Sequence, residues 1–230
     1  MKVLQIPFTF YPDPVGGTEV YVEALTRHLH RFGVEPTIAA PGSHDDAYEY
    51  QGIRVCRYGL SIKPDDLREL YGEGDPLAAS SFDRILAAEQ PDLLHLHAFT
   101  RGVSLRLVRA AKARRIPVVF TYHTPTTTCQ RGTMMRRGTE YCEGLMEWRT
   151  CARCTLEGLF NRSGNLECHN RSGVRTAAAR ALAYFVGSAP PALGIGLSRL
   201  NLQGAQWTAL RMTELIQLRH ATVRSFLAEV

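Results

Sequence analysis

Three groups of residues in this chain have types and spacings that chemistry can use. The first is Gly16-Gly17-Thr18-Glu19, two glycines ahead of a residue that can open a helix. A bare turn before a helix lets backbone N–H groups approach a ligand, and a helix N-terminus carries about half a positive charge, which suits a phosphate or a carboxylate. The plainer reading is that both glycines only serve a tight turn. The second group is His97 and His123, each ending a short apolar run. Histidine changes charge near neutrality and can act as acid, base or hydrogen-bond partner.

The third group follows His123: Cys129, Cys142, Cys151, Cys154 and Cys168, five of the six cysteines. Cys151-Ala-Arg-Cys154 has the gap that lets two sulfurs hold one metal, and Cys129 and Cys142 would complete a four-thiolate tetrahedron for structural zinc. Cys168 or His169 could replace one of them. An iron–sulfur cluster takes the same ligands, and free thiols in a reducing compartment are the other reading. The segment carries little periodic apolar character, so a staple would help it fold. Cys56, in a predicted strand, reads as an ordinary buried thiol.

The elements that must position these groups alternate. Lys2 to Phe8 predicts a buried strand, and Tyr21, Val22, Leu25, Leu29 and Phe32 repeat at helical spacing behind Thr18, with Gly33 ending that helix. Pro36–Ala40 and Tyr50–Tyr58 predict strands, Lys63–Pro76 a loop or partly helical excursion, and Leu77–Gln90 a helix. Leu93–His97 predicts a short strand and Gly102–Arg115 a helix with Val103, Leu107, Ala110 and Ala111 inward. Ile116–Tyr122 is the clearest strand pattern, and Leu210–Glu229 a terminal helix.

The fold class expected is therefore α/β: a Rossmann-like parallel sheet with helices on both faces over 1–124, a Cys-rich insertion over 125–170 in the same domain, and a helical remainder over 171–230. Ligands of such sheets lie beyond the carboxyl ends of the strands, where the Gly16-Gly17 turn, His97 and His123 would converge.

Bulk properties set few further limits. With 230 residues, 45% of them hydrophobic, the chain can bury a sizeable core; its net charge of +5 would suit a phosphorylated ligand or an anionic membrane surface, or serve solubility alone. The N-terminus has no secretory pattern, which points to the cytoplasm and gives the tripeptides at Asn161 and Asn170 little weight as glycosylation sites. Ala177–Leu197 is interrupted by Arg180, Gly187, Pro190 and Pro191 and reads as a core helix and loop, not a membrane span.

Pro-Val-Gly-Gly-Thr-Glu at 14–19, Pro-Asp-Leu-Leu-His-Leu-His at 91–97 and Val-Val-Phe-Thr-Tyr-His-Thr at 118–124, in that order, resemble the N-terminal, acceptor-side domain of family 4 glycosyltransferases of the GT-B fold. The resemblance implies retaining transfer of a sugar from a nucleotide diphosphate sugar to a saccharide or lipid-linked acceptor, with no catalytic metal. It implies that Gly16 and Gly17, with Thr18 and Glu19, approach the donor diphosphate or the acceptor, that His123 touches the transferred sugar as the catalytic residue, and that His97 lines the acceptor side. It also places similar cysteines beside the acceptor. The family's pair of glutamates eight positions apart has no counterpart here. The donor-binding second domain is therefore expected to be missing and the piece alone inactive.

Two other classes compete. Arg131, Arg136, Arg137, Arg149, Arg153 and Arg162 crowd the cysteines, as in a zinc-bearing interaction or nucleic-acid module, but aromatic interleaving is thin and no nucleic acid is expected. A dinucleotide oxidoreductase would need a third glycine, and an acidic residue where Ala39-Ala40-Pro41 stands. Arg106, Arg109 and Lys112 form a basic stripe, either a solvated face or a peripheral contact with anionic lipid.

Overall fold

The computed structural model describes residues 1–13, 16–62, 67–136, 140–162, 173–200 and 205–230. Arg137, Cys168, His169 and the tripeptide at Asn170 lie outside them. The chain divides into two compact units, Met1–Thr124 with Thr222–Val230, and Pro125–Ala221.

The first unit is built on β1 (Lys2–Ile6), buried from Val3 onward. It pairs in parallel with β2 (Glu35–Gly42) and β5 (Leu93–Leu96), which places Gln5 opposite both Ile38 and His95. Beyond β2 lie β4 (Ile53–Gly59), also parallel, and β3 (Asp46–Tyr50), antiparallel at the edge; beyond β5 lies β6 (Val118–Phe120). Sheets of this kind bury both faces, which is why residues 38–41 of β2 and 55–59 of β4 are buried without alternation. Helices α1 (Gly17–His30), α2 (Pro76–Glu89) and α3 (Leu105–Ala113) follow β1, β4 and β5. The fold is Rossmann-like α/β, as the alternation predicts.

Several local expectations change. Asp46–Tyr50 is a strand that the sequence pattern does not announce, because the hairpin turn is Gln51-Gly52, with φ of 48° and 80°, in place of the Asn-Gly that usually signals one. Helix α1 begins one residue before Thr18, with Gly16 as its N-cap. The strand expected over Ile116–Tyr122 shrinks to three residues at a sheet edge, since Pro117 has no N–H to give a ladder. The basic stripe on α3 is largely spent within the unit. Arg109 pairs with Glu229 at 3.0 Å, and Arg106 donates to Gly74 O at 3.1 Å and meets Glu73 at 3.4 Å.

In the second unit, β7 (Met135–Arg136) and β8 (Glu140–Tyr141) form a small hairpin, followed by α4 (Trp148–Arg162), α5 (Gly173–Val186), α6 (Pro191–Ser198) and α7 (Ala205–Leu210). Helix α4 is absent from the sequence reading because, among the described residues, its buried apolar positions are Ala152 and Leu156, four residues apart. Helix α8 (Met212–Glu229) runs through the unit boundary, and its Phe226 ring packs 4.5 Å from Phe99 and 5.1 Å from Phe120 in the first unit. Among the described residues no single helix is long and apolar enough to cross a membrane; Arg180–Val186 and Pro191–Ser198 together reach that length only across an 80° bend.

Candidate functional site

Parallel strands end on one rim, and the backbone past each end is tied to its neighbour. His97 N–H donates to Ile6 O at 2.9 Å, and Thr121 N–H to Leu96 O at 2.9 Å. These bonds fix the residues after β1, β5 and β6 side by side, and the side chains meet there. His97 Nδ1 lies 3.0 Å from His123 Nε2, and His97 Nε2 lies 2.7 Å from Gln5 Oε1. A carbonyl oxygen only accepts, so His97 Nε2 carries the proton and donates to Gln5. His97 Nδ1 is then a lone pair that accepts from His123 Nε2–H, which leaves His123 Nδ1 as an acceptor. The Gln5 amide nitrogen is buried with no partner.

Charge is excluded from the centre of this chain. His97 is 1% exposed, and burial, with His95 and His123 nearby, pushes its pKa down to about 2. Burial, then His123, lowers His95, whose Nε2 bonds Thr121 Oγ1 at 2.7 Å and whose ring centre is 4.0 Å from that of His97. Burial also lowers His123, against the opposing pull of the Glu19 carboxylate. All three rings are therefore neutral at pH 7.

Helix α1 brings the glycine turn to the same place. The Tyr21 ring sits 4.9 Å from His123 and 6.0 Å from His97. Glu19, 4% exposed, accepts the Gly16 N–H at 2.9 Å through Oε2. Gly16 is ordinary extended backbone, so the turn does not demand glycine there. A Cβ at Gly17 would meet nothing within 4 Å, and one at Gly16 only Glu19 Oε2 at 3.5 Å. Both glycines face open space, with Thr18 half-buried beside them. The amides of Gly17 and Thr18, in the first turn, have no acceptor within their own helix.

Gln5, Tyr21 and His95 belong to this rim although the motifs do not single them out. A polar residue inside the apolar run Val3–Ile6 was the available signal for Gln5. Arg57 is a further positioning residue. Its guanidinium, 7% exposed, donates to Pro41 O at 3.0 Å and to Phe10 O and Tyr11 O, and pairs with Asp13 at 3.0 Å. This clamps the segment between β1 and α1, whose Phe10 and Tyr11 pack with Tyr50.

The four cysteines expected to ligate metal also come together, within the second unit. Cys129, Cys142, Cys151 and Cys154 line one cavity of about 30 Å³, and none forms a disulfide. Burial pushes the Cys151 thiol up to about 11, and Cys142, Cys154 and Cys129 add to the effect. Burial would raise Cys129 too, but the backbone amides of Met134, Thr133, Arg131 and Gly132 outweigh it and lower its pKa. Among the described residues no group of three or more His, Cys, Asp or Glu side chains is already arranged to hold a metal ion. A larger cavity of about 440 Å³ in the same unit has Arg136, Arg153, Arg180, Glu140, Glu157 and Tyr184 in its walls. Cys56 is the buried strand thiol expected, raised to about 11 by burial.

A family model described as Glycosyltransferase Family 4 matches residues 15–155, more than half of the chain. The chain belongs to glycosyltransferase family 4. The match takes in the motifs at 91–97 and 118–124 and all but Pro14 of the one at 14–19, and runs on through Cys154. A search of curated proteins finds no match. Among solved structures, the chain is similar to the UDP-GlcNAc 2-epimerase from Neisseria meningitidis bound to UDP-GlcNAc, at 20% identity and a TM-score of 0.36 over 52% of this chain and 31% of that one. It is also similar to the sucrose-phosphate synthase from Thermosynechococcus elongatus, at 16% identity and a TM-score of 0.43 over 66% of this chain and 40% of the other. The chain thus spans less than half the length of either.

Proposed function

We propose that this family 4 chain is the acceptor-side half of a retaining glycosyltransferase, which moves a sugar from a nucleotide diphosphate sugar to a saccharide or lipid-linked acceptor while a second domain holds most of the donor. The observation that carries the reading is the neutral His97–His123 pair meeting, through Tyr21 and Glu19, the open start of α1. Sugar recognition needs hydrogen-bond partners of fixed polarity and little charge. A histidine whose tautomer is set by Gln5 and His97 meets that need at His123.

The glycine turn has a more specific part in this reading. Glu19 already occupies the Gly16 amide and its charge offsets the helix terminus. A second anion seated there would face that carboxylate, whereas an acceptor hydroxyl could donate to Glu19 and accept from the Gly17 or Thr18 amide. We therefore place the acceptor, and not the donor diphosphate, against the turn.

The test is to incubate the complete protein with UDP-, GDP- and ADP-sugars and a panel of saccharide and polyprenyl-phosphate acceptors, and to follow nucleoside diphosphate release. Acceptor-dependent release with one donor supports the reading. No release with any pair, together with oligonucleotide binding that weakens steeply with salt, would replace it with the nucleic-acid module.

A further inference from the structure

The small cavity ringed by thiols in the second unit is built in a way that points to an ion. Its four cysteines come from three separate pieces of chain. Cys129 follows the short 3₁₀ turn Pro125–Thr127 and opens a tight turn in which Gly132 N–H bonds Cys129 O at 2.9 Å and Gly132 takes φ of 68°. In that turn the amides of residues 131–134 face the Cys129 sulfur. Cys142 leaves the β7–β8 hairpin with its N–H bonded to Met134 O at 2.9 Å, so it is fixed to the same turn. Cys151 and Cys154 lie three apart on α4, which puts both sulfurs on one helix face.

Charge gives a second, independent argument. Arg131 and Arg136 line this cavity, Arg131 Nη1 reaches Cys154 Sγ at 3.5 Å, and Arg136 Nε is buried without a partner. Both guanidinium groups thus stand in the wall of the same cavity as the four sulfurs. A divalent ion held by four thiolates carries a net charge of about −2, which those guanidinium groups would balance.

We propose that Cys129, Cys142, Cys151 and Cys154 bind one zinc ion that staples the knuckle turn, the hairpin and α4. The four sulfurs line one cavity without yet meeting at a single centre, so binding would draw them together, each side chain turning about χ1. Four S–H bonds lose their protons to solvent, four Zn–S bonds form, and no electrons are transferred. Zinc is chosen over an iron–sulfur cluster because four thiolates around one ion are its usual structural site and need no added sulfide, and the cavity is small, about 30 Å³.

The protein is purified without added metal and its zinc and iron content measured, followed by cobalt exchange. About one zinc per chain, and a cobalt form with the intense sulfur-to-cobalt charge-transfer and visible bands of a tetrahedral tetrathiolate, are expected. Cys129→Ser and Cys151→Ser should each cut zinc content at least about tenfold, and Cys56→Ser should leave it unchanged. If the serine variants do not fold, titration of the native protein with an organomercurial settles the matter, since zinc should appear in step with modification of four thiols. Iron with visible absorbance, two disulfides in the native protein, or zinc far below one per chain with all thiols reactive would each overturn the proposal.

Discussion

His97 sits between Gln5 and His123, with Nε2 at 2.7 Å from one and Nδ1 at 3.0 Å from the other. Both ring nitrogens are therefore committed while the ring is neutral, and protonation would cost one of these bonds as well as the burial penalty. A pH dependence of stability follows. The unfolded chain takes up a proton on this histidine near pH 6.5, whereas the folded chain resists until about 2. The unfolded state thus binds more protons across that window, and stability that is complete above pH 6.5 is lost as the pH falls. Urea midpoints should drop between pH 7.5 and pH 5, and His97→Asn should flatten part of that slope. Equal midpoints for the native protein at both pH values would contradict a neutral, buried His97.

Gln5 sets the tautomer. In Gln5→Leu the His97 Nε2–H loses its acceptor, at a cost of about 1–3 kcal/mol for the unsatisfied buried group. Long-range ¹H–¹⁵N spectra should show Nε2–H on both His97 and His123 in the native protein and a mixture in the variant. The same tautomer in both proteins would mean that Gln5 does not orient the pair.

Asp75 holds a different junction. Fully buried, it caps α2 by accepting from Leu77 N at 2.8 Å and Ala78 N at 3.1 Å, and it accepts from Ser61 N at 2.9 Å and Ser61 Oγ at 2.6 Å. Burial alone would raise its carboxyl pKa, but these bonds and Arg101 lower it. Its contribution is thus complete above about pH 4 and fades below that. Asp75→Ala should cost about 2–4 kcal/mol in urea unfolding at pH 7.

Gly74 has φ of 86°, and a Cβ there would stand 2.1 Å from Ser104 Oγ and 3.2 Å from Arg101 O. Gly74→Ala should therefore destabilise by more than about 1 kcal/mol. Adding Ser104→Gly should recover only part of the loss, because the left-handed backbone remains. Full recovery would show that the side-chain clash was the whole cost.

How much of this was legible in the sequence depended on whether the signal was local. Apolar runs at Val3–Ile6 and Leu93–Leu96, and the helical spacing around Val22 and Leu107, gave the sheet and its covering helices because burial repeats with the period of the element. The meeting of His97 with His123 followed from parallel topology, which brings strand ends together across 26 residues of chain. Arg57, buried with its guanidinium on the carbonyls of Phe10 and Tyr11, gave no such signal, since an arginine in a strand is usually exposed, as Arg54 of the same strand is. Helix α4 was hidden for the opposite reason. Among the described residues its buried apolar face is Ala152 and Leu156, too narrow for a periodic signal, although the cysteine pair on the same helix is plain in the sequence.

The account depends most on His123 as the ring that meets the transferred sugar. The direct measurement is turnover of His123→Ala beside the native sequence in the complete protein, with thermal unfolding of both. The account predicts a loss of about 100-fold or more in turnover in a variant that still unfolds cooperatively, its melting midpoint lowered only as far as one lost hydrogen bond to His97 allows. Native turnover in the folded variant would contradict it.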